Sequence, residues 1–88
     1  MKSDEFSKLT IFRQVELLLE KGQHVLSRIY LFYNVHLYTL AGFYAEIWYR
    51  QADNKIERVI ILDESDVLDL YDNQIELGDI TGSFGSQQ

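Results

Sequence analysis

Eighty-eight residues without cysteine make one small domain that no disulfide or thiolate metal site can staple. The net charge of −6 is unevenly placed: residues 1–62 carry eight Lys/Arg and seven Asp/Glu, and residues 63–88 carry seven acids and no base. That balance excludes the basic stripe that nucleic-acid binding needs.

Met1–Glu5 is polar and no long apolar stretch follows it, so no signal peptide is expected. The longest aliphatic run, Val59-Ile60-Ile61-Leu62, is far short of a bilayer span. The expectation is a cytoplasmic protein with no membrane partner.

The first predicted element is a helix from Ser7 or Thr10 to Lys21. Ile11, Phe12, Val15, Leu18 and Leu19 recur at helical spacing and form one apolar stripe. Either Ser7 or Thr10 can supply the N-cap. Gly22 is placed to end the helix in a left-handed cap.

From Gln23 to Leu62 the texture turns β-branched and aromatic with a period near two. Ala41-Gly42 and Asp53-Asn54 read as hairpin turns, with Tyr33-Asn34 a third. These breaks predict strands at 24–32, 35–40, 43–51 and 56–62 in an antiparallel meander. The turns imply a register. Leu40 faces Phe43 and Tyr38 faces Ala45, while Arg50 faces Glu57, Trp48 faces Val59 and Ile47 faces Ile60.

One sheet face then carries Ile29, Tyr38, Leu40, Phe43, Ile47, Tyr49, Ile60 and Leu62, and the first helix should cover it. The other carries Leu26, Tyr30, Phe32, Leu37, Tyr44, Trp48, Val59 and Ile61, among Arg28, Glu46, Arg50 and Glu57. A second helix is predicted at 65–74, capped by Ser65, with Val67, Leu68, Tyr71 and Ile75 on one face. Residues 81–88 are Gly/Ser/Gln-rich and read as a disordered tail after a domain of residues 1–80. The fold class expected is α+β: an N-terminal helix packed on a four-stranded antiparallel meander, then a short acidic helix.

Few side chains are placed for chemistry. The period-two reading puts His24 and His36 on opposite faces, with no serine or cysteine beside either. The acids of 63–79 lack the alternate spacing and central glycine of an EF-hand loop and read as a solvated face. Glu46 flanks Trp48 and is expected beside Arg28 or a partner's charge. No catalytic residue, metal site or cofactor is expected.

Eight of the twelve Phe, Tyr and Trp residues fall between Tyr30 and Tyr49, too many for one core. Tyr30, Phe32, Tyr44, Trp48 and Arg50 are therefore the expected contact residues of a non-enzymatic interaction module, most simply a homodimer built on the second sheet face. Another protein could instead occupy that face. Two alternatives are a binder of a small apolar ligand between the sheet and the second helix, and an acidic inhibitor presenting residues 63–79 to a basic surface.

Overall fold

The computed structural model describes residues 1–72; the expected tail and the end of the second predicted helix lie outside them. The elements run α1 (Ser3–Ser7), α2 (Ile11–Lys21), β1 (Gln23–Tyr30), β2 (Tyr33–Leu40), β3 (Phe43–Arg50), β4 (Ile56–Leu62) and α3 (Glu64–Tyr71). The four strands form one antiparallel sheet in the order β1-β2-β3-β4. No helix among the described residues is long and apolar enough to cross a membrane.

The short α1 has no counterpart among the predicted elements. Its purpose is Phe6, which is fully buried and packs its ring against Phe43 at 5.2 Å. Gln14, itself buried, donates to the Phe6 carbonyl at 2.9 Å. Thr10 is the N-cap of α2, accepting from the Arg13 amide at 3.2 Å. Gly22 ends α2 in an extended conformation, at φ −83°, not in the expected left-handed cap. Close approach is the reason for glycine there. A Cβ would stand 2.8 Å from the Leu18 carbonyl oxygen and 3.1 Å from that of Thr39.

The β2–β3 register follows the Ala41-Gly42 turn as expected, with both turn residues at positive φ. The other two hairpins differ. The β1–β2 turn is Leu31-Phe32, because Tyr30 pairs with Tyr33. Between β3 and β4 the register is one residue out from the expected one, so Ile47 faces Val59, Trp48 faces Arg58 and Glu46 faces Ile60. The cause is a loop that displaces the pairing by two residues, to Tyr49 with Ile56, and a bulge that gives one of them back. Asp53 accepts from the Lys55 amide at 3.1 Å and from Arg50 at 2.9 Å, Asn54 takes φ 61°, and a bulge follows at Trp48/Tyr49. The expected Arg50–Glu57 pair is replaced: Arg50 binds Asp53, and Glu57 accepts from the Tyr33 hydroxyl at 3.1 Å.

A slip of one residue exchanges the faces of β4. Val59 and Ile61 pack toward α1 and α2, with Phe6, Leu17, Leu18, Ala45 and Ile47. Ile60 and Leu62 pack on the other side, with Leu37, Val67 and Tyr71. Both faces of β4 are thus covered, which explains its run of four aliphatic residues. The second side is roofed by α3. Its N-cap is Asp63, not Ser65: Asp66 N–H donates to Asp63 Oδ1 at 2.8 Å, and Asp63 N–H to Asp66 Oδ2 at 3.2 Å. The helices leave the two ends of β1 and its hairpin tip open, while Leu26 packs on the α3 side; Ile29, expected in the core, is exposed.

Candidate functional site

Three clusters fall outside ordinary core packing. The first is centred on Glu46, which is 1% exposed. Its Oε2 accepts from Arg28 Nε at 3.0 Å and from the Tyr71 hydroxyl at 2.7 Å. Its Oε1 accepts from Arg28 Nη2 at 3.3 Å and from Trp48 Nε1 at 3.0 Å. Four donors surround it, so the carboxylate is saturated. The Arg28 partnership expected from the sequence is present.

Arg28 also lies over rings of the same cluster, 5.3 Å from the Trp48 centroid and 5.6 Å from that of Tyr71. Arg58 sits 4.4 Å from the Trp48 centroid. Burial pushes the Tyr71 phenol well above its ordinary value, and the adjoining Glu46 pushes it further. A closed network of this kind offers no lone pair to a substrate. It fastens α3 to the sheet through one charge-assisted hydrogen bond.

The second cluster overturns the expectation that the two histidines diverge. His24 Nε2 lies 2.8 Å from Ser27 Oγ, and Ser27 Oγ lies 2.7 Å from His36 Nδ1. The rings of His24 and His36 are 5.6 Å apart. Ser27 and His36 are cross-strand partners; His24 joins them because a bulge between His24 and Leu26 adds a residue to β1. Nothing in the sequence marks that bulge. Period-two alternation counted across it sends His24 to the wrong side.

The third cluster is the tip of the β1–β2 hairpin. Ile29, Tyr30, Leu31 and Phe32 are 72, 48, 67 and 76% exposed. Leu31 adopts φ 53°, a left-handed conformation that a bulky side chain occupies at a cost of about 1–2 kcal/mol. Asparagine or glycine would relieve that strain and remove apolar surface from water.

The five expected contact residues are distributed over these surroundings. Tyr30 and Phe32 are on the open tip. Trp48 is only 6% exposed, held by Glu46 and edged by Tyr30 and Tyr33. Tyr44 is half-buried against the α3 core, and Arg50 is exposed beside Asp53. Ile29 and Leu31 complete the tip and were not among the five; the apolar run from Ile29 to Tyr33 was their signal.

Comparison with known protein families, curated proteins and solved structures returns no match. The clusters are thus the main guide to function. Two further surfaces bear on it. A shallow apolar groove of about 420 Å³ lies between α2 and β4, lined by Ile11, Phe12, Val15, Leu19 and Ile56. On α3, Glu64, Asp66 and Asp69 are exposed; residues 73–79 of the acidic segment lie outside the described residues.

Proposed function

We propose that the chain is a non-enzymatic interaction module that pairs with a second copy of itself along β1, with the hairpin tip at the centre of the contact. The observation that carries this reading is the tip itself: four consecutive exposed apolar residues on a turn that strains one of them. Monomer stability and solubility would both favour different residues there, so the tip is better explained by what it touches.

The β1 edge fits the same use. Exposed edges are ordinarily blunted by charge, and β4 follows that rule with exposed Glu57 and Arg58. On β1 the one charged residue is Arg28, and its guanidinium is turned to Glu46. An uncharged apolar patch is complementary to its own copy, as a two-fold interface requires. Scaled by their exposure, the tip side chains of two copies would contribute roughly 8–16 kcal/mol on burial. That is comparable with the roughly 4–15 kcal/mol that association costs in lost freedom. A reversible dimer follows. Tyr30 and Phe32 are its contact residues, and Trp48 supports them from beneath.

The test is the double variant Leu31→Gly/Phe32→Asn. Self-association should be lost while the thermal midpoint of the monomer stays level or rises. A variant that dimerises as the parent does would remove the tip from the interface. The groove beside α2 favours a second reading, a small apolar ligand; stabilisation by a fatty acid that Phe12→Ser abolishes would support it.

A further inference from the structure

We propose that His24 and His36 form an exchangeable site for a d-block divalent cation of the copper and zinc class, seated between the two imidazoles. Both ring nitrogens already converge on one atom, Ser27 Oγ, at 2.8 and 2.7 Å. A metal binds imidazole nitrogen at about 2.0–2.1 Å. The rings therefore need to close by only a small movement while the serine hydroxyl swings aside or stays as a weak third donor.

The rings are positioned by their neighbours. His24 meets the edge of Tyr38 at 5.5 Å, and His36 meets Tyr49 at 5.3 Å. The residues at the bulge lie outside the core: His24 is exposed and Val25 beside it is 41% exposed. Bulges of this sort re-aim side chains and concentrate near working sites.

The donor set decides the class of metal. Two imidazoles suit copper, zinc and nickel; magnesium and calcium require carboxylate or carbonyl oxygen. No group of three or more His, Cys, Asp or Glu side chains converges among the described residues. The site thus has two strong protein ligands, and water completes the sphere, which is why exchange is expected.

Proton bookkeeping is consistent with this. The serine hydroxyl can donate to at most one of the two rings, so at least one of the facing nitrogens carries a proton in the metal-free chain. A tautomer shift moves that proton to the far side of the ring and frees the lone pair.

These are the only histidines in a chain without cysteine, so the test is clean. The full chain, stripped with a chelator, is titrated at neutral pH with copper(II), zinc(II) and magnesium chloride in turn. The expected result is one copper or zinc per chain, copper the tighter, and no magnesium binding. Electron paramagnetic resonance of the copper form should report two imidazole nitrogens. His24→Asn alters an exposed residue and should leave the fold intact. It should weaken binding by more than about tenfold and leave one imidazole nitrogen. Absence of saturable copper or zinc binding, or binding unchanged in both His24→Asn and His36→Gln, would overturn the proposal.

Discussion

Glu46→Ala is the most severe single test of how α3 is held. The substitution removes the acceptor of four hydrogen bonds at a position 1% exposed. Removing one partner of a buried ion pair costs about 3–5 kcal/mol. The Arg28 side chain is 15% exposed and can recover part of its solvation. The Tyr71 hydroxyl cannot, and an orphaned buried donor costs about 1–3 kcal/mol. The expected loss is thus about 4 kcal/mol, within the range that the two effects span together. Stability of about 0.05–0.15 kcal/mol per residue gives a chain of this size roughly 4–13 kcal/mol in total. Glu46→Ala should therefore bring it close to unfolding.

The apolar replacement Arg28→Met/Glu46→Leu/Tyr71→Phe removes the charges together and should recover most of that loss, because no ion is left unpaired. Urea unfolding followed by the fluorescence of Trp48, the sole tryptophan, measures both. A loss under about 1 kcal/mol for Glu46→Ala, or a triple variant less stable than the single one, would refute the reasoning.

Tyr71 gives an alkaline signature. Its phenol is raised in the folded chain, so the unfolded chain ionises first; stability should be full below about pH 10 and fall above it. Tyr71→Phe should flatten that limb in a pH series of thermal melts. His36 gives the acid counterpart. Its proton affinity is lowered by burial and by His24, so the unfolded chain protonates first and stability should fall as pH drops below about 6.5. His36→Gln should remove the slope in the presence of a chelator. Gly22→Ala should cost about 1–3 kcal/mol in urea unfolding, since its Cβ meets backbone oxygen that cannot yield.

The parts of the fold legible in the sequence were those where local chemistry and periodicity agree. Although α2 buries Gln14, Leu17 and Leu18 and leaves Ile11, Phe12 and Leu19 of the expected stripe exposed, its span from the Thr10 cap, the Ala41-Gly42 turn and the β2–β3 register are of this kind. So is the partnership of Glu46 with Arg28, which alternation places on one face. What escaped was governed by single inserted residues. The bulge in β1 and the bulge between β3 and β4 each shift a strand by one position, and in a period-two element one position exchanges faces. The histidine cluster and the inner lining of β4 were hidden for that reason. Helix α1 is too short to show a period and is fixed by one tertiary contact, Phe6 on Phe43. The turn at Leu31-Phe32 lacks every residue type that marks a turn, and that mismatch is itself the pointer to its use.

Self-association is the central claim, and the mass of the chain in solution tests it most directly. Sedimentation equilibrium of the full chain, without added metal, from low micromolar to millimolar concentration should give a mass rising from one copy to two and stopping there. A mass of one copy throughout the range would contradict the account, leaving the exposed tip at Ile29–Phe32 for a different partner.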